Sequence, residues 1–379
     1  MYSRSVCLTA RDWFACGLML SGSIAAGETI SYDVVPIGNP GNLADTTGYG
    51  AVSYEYNIGK YEVTIGQYTE FLNAVAKADP NNLYATAMQT VGATLGIQRT
   101  GNSGAYVYTP MTPAGSNPPG ADSPTQRPIT YVNMFDAMRF ANWMANGQPT
   151  GSQGPTTTEN GAYNMTGVTA TTLSSKNLTN PNTNAAPTFW IPTENEWYKA
   201  AYYDPNKFNP ETGLFDGYWN YATMKDEPPY NSINSFSSNV ANVRLNNIYT
   251  VSGAGVITNV NLLTDVGAFG STYTYYGAFD MTGNVREWSL TGAGNGRVAR
   301  GGDWNTTSTT NMSSLGRFTP GANIEEQITG FRLASNGVLV PEPSAWLLAA
   351  AGLASLAAGR ASRRRRLAQP AKQTRALLP

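Results

Sequence analysis

Along NIGKYEVTIGQYTEFLNAVA (residues 57–76) the apolar positions change period partway. Ile58, Tyr61 and Val63 fit the alternation of a strand. Tyr68, Phe71, Leu72 and Val75 fall on one face of a helix entered at Thr64. RPITYVNMFDAMRFANWMANG (127–147) repeats the arrangement, strand-like over 129–132 and then helical, with Phe135, Met138, Phe140, Ala141 and Met144 facing inward. In FWIPTENEWYKAAYYDP (189–205), Pro192 sits at a strand edge and Thr193 is placed as an N-cap. Glu196, three residues on, completes a capping box that opens a helix through Ala201. Glu194 and Glu196 therefore read as capping and dipole-compensating acids, not as a catalytic pair.

The intervening stretches lose this periodicity. Residues 79–126 are rich in Gly, Pro, Ser and Thr and predict a surface excursion. Residues 150–187, dominated by Thr, Asn and Gly, predict a long loop of a length often functional or mobile. Residues 204–264 are also loop-rich, with short strands expected around 246–251 and 256–262, and a polar loop follows at 305–323.

The chain is organised around YGAFDMTGNVREW (276–288), followed by ARGGDW (299–304) and GFRLA (330–334). Aromatics and glycines are too dense here to predict a helix or a regular strand. Gly283-Asn284 is a turn pair that tolerates positive φ, and Gly301-Gly302 allows a second tight passage.

Both ends carry targeting patterns. Residues 1–27 combine Arg4 and Arg11 with an apolar run over 13–20 and the small-residue exit SIAAG, the layout of a cleaved secretory signal; a buried first helix is the alternative. At the other end, Pro341-Glu342-Pro343 precedes an apolar segment (345–359) and the cluster Arg363–Arg366. Fifteen helical residues rise ~22 Å, short of a ~30 Å hydrocarbon core unless flanking residues contribute. The basic end predicts a cytoplasmic tail (367–379). The three-part order resembles the PEP-CTERM sorting signal (338–366), which implies transient inner-membrane anchoring, recognition by an exosortase-type enzyme and release to the cell surface or extracellular matrix. An ordinary tail anchor is the alternative.

Composition narrows the chemistry. Only 13% of the 379 residues are charged, and residues 28–359 hold 15 basic against 24 acidic side chains. That balance disfavours nucleic acid as a partner and is compatible with hard cations such as calcium. There is no histidine. The two cysteines, Cys7 and Cys16, both fall in the expected leader. A mature chain without either residue type excludes imidazole bases, thiol nucleophiles, disulfides and thiolate metal sites.

Taken in order, EVTIGQYTEF, RPITYVNMFDAMRFANWM, FWIPTENEWYKAA, the 276–288 segment, ARGGDW and GFRLA resemble the sulfatase-modifying-factor family of formylglycine-generating enzymes. The resemblance spans residues 30–335 and implies an α+β, irregular, loop-rich C-type lectin-like fold in a single main domain (28–337). Family oxidases bind copper through two cysteines after the RGG motif; an ungapped reading places Thr306 and Asn311 there, so neither copper nor iron is expected. Thr306, Thr307, Ser308 and Thr309 then predict a hydroxyl-rich surface loop, and Asp303, Trp304, Thr306 and Asn311 a binding loop. The resemblance also implies a structural calcium ion held by Gly283, Val285 and Glu287, with Asn284 shaping the turn. A metal-free turn with Glu287 paired to Arg286, Arg300 or Arg332 is the alternative.

Three functions compete. A non-catalytic surface or matrix module would bind peptide or glycan through its Thr, Asn and aromatic loops. A formylglycine-generating-type oxidoreductase acting on protein cysteine is one enzymatic alternative. An enzyme of another mechanism would draw on the one concentrated ionisable set, Asp280, Asp303, Glu287, Arg300 and Tyr276, which otherwise reads as a structural salt-bridge network. A structural component of an exopolysaccharide matrix would have no discrete ligand.

Overall fold

Thr64 opens the first helix as its sequence position demands. Its hydroxyl accepts from the Gln67 backbone N–H at 3.2 Å, and the Gln67 amide oxygen accepts from the Thr64 N–H at 3.0 Å. The same reciprocal box starts the two other long helices. The helices are α1 (Ile65–Val75), the single turn α2 (Ala87–Thr90), α3 (Met134–Ala145) capped by Asn133 with Asp136, and α4 (Glu194–Tyr202) capped by Thr193 with Glu196. These assignments come from a computed structural model that describes residues 29–112, 123–172, 175–233, 237–255, 260–294 and 296–336. The expected leader, the sorting segment with Pro341, Glu342 and Pro343, and the basic tail lie outside the described residues. Among the described residues no helix is long and apolar enough to cross a membrane.

The inward faces of α1 and α3 meet through aromatics. Phe71 packs on Phe140 with ring centroids 5.3 Å apart, and Phe140 on Phe331 of the GFRLA segment at 5.4 Å. Edge-to-face pairs of this kind add to the stabilisation from area burial alone.

An antiparallel sheet ties the two ends of the domain together. Its strands are β1 (Val34–Ile37), β2 (Tyr56–Gly59), β5 (Phe189–Trp190) and β13 (Ala334–Ser335), in the order β1-β2-β13-β5. Two hairpins, β3 (Ile97–Thr100) with β4 (Val107–Pro110) and β6 (Tyr203–Asn209) with β7 (Leu214–Tyr218), flank the body. A third pairs β8 (Arg244–Leu245) with β9 (Ile248–Tyr249). The remaining sheet, in the order β11-β10-β12, joins β10 (Arg286–Ala293), β11 (Gly296–Arg300) and β12 (Thr329–Gly330). Short strands, few helices and long connections make the irregular α+β domain that the motifs imply.

Four local expectations are corrected. Residues 129–132 form no strand: Ile129 bonds back to Val63, and Tyr131 takes a φ of 58°, which breaks the extension before Asn133 caps α3. Residues 79–126 do not merely cross the surface, because Leu83, Tyr84, Met88, Ile97 and Tyr108 enter the main core. The density of Gly and aromatics over 276–285 does make irregular turns, but Arg286 begins the longest strand, β10. Residues 203–218 form a hairpin that their mixed polar composition concealed. Residues 150–172 and 175–187 remain loop, pinned by buried amides: Asn142 bonds Thr158 and Tyr163, and Asn180 bonds Ala145 and Asn146.

Candidate functional site

The turn 280–284 is forced by backbone crowding. Asp280, Gly283 and Asn284 all take positive φ. A Cβ on Gly283 would lie 2.5 Å from the Asn242 carbonyl oxygen, so only glycine fits there. Asn284, almost fully buried, then serves as a hub. Its side-chain oxygen accepts from Asn242 at 3.0 Å and from the Thr264 N–H at 3.1 Å, and its amide donates to Glu62 at 3.2 Å. Its own N–H reaches Asn242, and its carbonyl accepts from Trp304.

Glu287 leaves this turn pointing inward. Both carboxylate oxygens accept from Arg332, at 2.5 and 2.6 Å, and one also accepts from Trp197 Nε1 at 2.8 Å. Arg332 spends its other protons on the Gly59 and Phe279 carbonyls, each at 2.9 Å. The pair is fully buried and its hydrogen bonds are satisfied, the geometry a buried ion pair needs. The calcium set therefore does not fit at its one carboxylate: Glu287 is neutralised by a guanidinium, and the Asn284 oxygen is taken up by N–H groups. Among the described residues no group of three or more carboxylates converges that could hold a metal ion.

The ionisable set expected to act together is divided among separate networks. Arg300 meets Glu194, not Glu287, at 2.6 and 2.8 Å, and Arg317 approaches the same carboxylate at 2.8 Å. Glu194 is thus more than a capping acid: it anchors two arginines at the positive end of α4. Asp303 pairs with Arg286 at 2.9 Å. Burial raises the Asp303 carboxyl above its ordinary value, and Arg286 counteracts it. The Tyr276 hydroxyl meets Asn39 at 3.0 Å. Asp280 accepts from the Gly267 N–H at 2.5 Å. Desolvation is the main cause that pushes its carboxyl up to about 6.

The expected binding loop closes on itself. Thr306 is buried, its hydroxyl accepting from the Asp303 N–H at 3.0 Å while its own N–H returns to the Asp303 carbonyl at 2.9 Å. Trp304 is buried against Tyr249 and donates to the Gln327 carbonyl at 3.1 Å. Thr307, Thr309, Thr310 and Asn311 keep the exposure expected of a surface loop. Thr306 is a turn cap, and its position gives it no access to a ligand.

Two cavities lie elsewhere, and the sequence reading missed both. The larger, about 760 Å³, runs along the C-terminal ends of α1 and α3. Its amides are already committed: Asn73 bonds Tyr108, Gln148 bonds Ile30, and Gln153 bonds Asp79 and Asn81. The smaller, about 320 Å³, opens between residues 30–33, the first turn of α1 and residues 125–126. Tyr61 lines it, and its ring continues outward through Phe279 (centroids 5.4 Å) to Tyr273 (5.8 Å), which is 42% exposed. Glu62 lies at its wall, nearly fully buried, and one of its oxygens has no hydrogen-bond partner among the described residues. Desolvation, reinforced by Asp280, pushes the Glu62 carboxyl well above its usual range. A single acid between the apolar positions Tyr61 and Val63 was the available signal.

The Sulfatase-modifying factor enzyme 1-like domain model matches residues 46–337. No curated protein sequence matches the chain. Among solved structures, Treponema denticola variable protein 1 is similar at 16% identity, covering 82% of this chain and 97% of that one with a TM-score of 0.44. CarF is similar at 20% identity, over 81% and 98% of the two chains, with a TM-score of 0.43. PvdO from Pseudomonas aeruginosa is similar at 14% identity, over 80% and 92%, with a TM-score of 0.39.

Proposed function

The chain belongs to the family of sulfatase-modifying factor enzyme 1-like domains, and from that premise we propose that it is an exported, non-catalytic binding module. One observation carries the reading. The loop after Arg300-Gly301-Gly302 offers Thr306 and Asn311 where family oxidases place thiols, and Thr306 is buried as the cap of the Asp303 turn. Neither side chain ligates Cu(I) well, since that ion wants soft sulfur donors. The acids of the ionisable set are engaged as well, Asp303 with Arg286, Glu287 with Arg332 and Asp280 with the Gly267 N–H.

Export and sorting belong to the same proposal and are supported by the sequence at the two ends. The leader pattern over 1–27 and the Pro341-Glu342-Pro343 segment favour an exosortase-type processing partner and a cell-surface or matrix destination. A peptide or glycan is the ligand class this setting favours.

A screen of the full-length chain against glycan and peptide arrays, run in calcium and in chelator, tests the proposal. Binding to one class under both conditions is expected. Silence on both arrays would remove the binding reading and leave a purely structural matrix role.

A further inference from the structure

We propose that the cavity beside α1, together with the aromatic row Tyr61–Phe279–Tyr273, is a binding site for a neutral oligosaccharide. The proposal rests on the binding-module reading and gives it a place and a ligand class. It begins from the contrast between the two cavities. In the larger one the lining amides are hydrogen-bonded within the protein, so a ligand would have to break bonds already made. In the smaller one the Asp33 carboxylate and the Gln126 amide are exposed and have no side-chain partner among the described residues. Between them they offer acceptors and donors without a competing internal bond, which suits a ligand bearing many hydroxyls.

The aromatic row supplies the second half of sugar recognition. A pyranose presents a face of C–H groups, weakly positive and apolar, that complements the negative face of an aromatic ring. Tyr61 is held in place from below: a Cβ on Gly267 would fall 2.6 Å from its ring, so glycine lets the ring lie on the backbone. The Lys60 ammonium sits 5.3 Å from the Tyr61 centroid and 5.6 Å from that of Phe279, fixing both rings on one side. The row therefore links Tyr61 at the cavity wall to the exposed ring of Tyr273, with successive rings tilted by 36° and 52°.

Charge and topology select among ligand classes. The cavity lining carries no basic side chain, and the exposed Asp33 carboxylate disfavours an anionic chain there. An extended peptide would need a free strand edge or an apolar anchor pocket. The neighbouring edge strand β1 carries Pro36, which lacks the N–H that strand addition requires, and the cavity's only aliphatic linings are Ile30 and Val266.

The test is calorimetric titration of the full-length chain with cellohexaose, maltohexaose and mannohexaose, and with an uncharged extended peptide. Tyr273→Ala, Asp33→Ala and Gln126→Ala probe the site. Phe215→Ala, at the exposed end of the β6–β7 hairpin, is the control. All four positions are exposed, so melting temperatures should match the parent. At least one hexose oligomer should bind, Asp33→Ala should weaken it about tenfold, as loss of a hydrogen bond to a charged group does, and Phe215→Ala should leave it unchanged. Hexose binding that ignores the three site variants would overturn the placement while sparing the binding module. Peptide binding that those variants abolish would overturn the ligand class. Binding of neither would overturn the site, while the glycan and peptide arrays decide the binding-module reading separately.

Discussion

At Glu287 a carboxylate has left water, and Arg332 with Trp197 supplies three hydrogen bonds in its place. Removing one partner strands the other charge in the core. Glu287→Gln should therefore destabilise the fold by about 3–5 kcal/mol in chemical denaturation, and Arg332→Met added to it should recover part of that loss. Because the guanidinium already neutralises Glu287, calcium and chelator should give the same melting temperature within error. Asp280 behaves differently. Its carboxyl is raised from 3.8 to about 6, chiefly by desolvation, so the folded state holds a proton more tightly than the unfolded one. The associated stability is fully present below pH 3.8 and is lost as pH rises through about 6. Asp280→Asn, which keeps the bond from Gly267 and suits the positive φ, should flatten the stability profile between those values.

Among the elements, the helices were the most legible in sequence. Thr64 and Thr193 start helices at the positions their capping patterns indicate, since a cap is a local device spelled out within four residues. Thr193→Ala should cost about 1 kcal/mol, read from the denaturation midpoint. Strands were harder. Residues 129–132 have strand composition, yet Tyr131 turns into the left-handed region because the chain must reach Asn133 to begin α3. Arg286, Glu287 and Trp288 lie in the longest strand although their composition suggests a turn. Each has a distant partner, Asp303, Arg332 or the Val132 carbonyl, that no local pattern records.

For the whole molecule, the order of six motifs revealed the family and the irregular α+β architecture, because both are properties of the chain as a linear sequence. The site was less legible. Sequence spacing pointed to Asp303, Trp304, Thr306 and Asn311, but the fold turns Thr306 inward and closes that loop. It opens a cavity instead among residues 30–33, 61–62 and 125–126, which are far apart in the chain. With Thr306 and Asn311 standing where family oxidases place thiols, the proposed role is a scaffold that binds without oxidising.

Oxygen uptake tests that claim most directly. The full-length chain, loaded with Cu(I) and given a cysteine-containing sulfatase peptide, should consume oxygen no faster than copper and peptide alone, and the peptide cysteine should remain unmodified. Protein-dependent oxygen consumption with conversion of that cysteine to formylglycine would contradict the account.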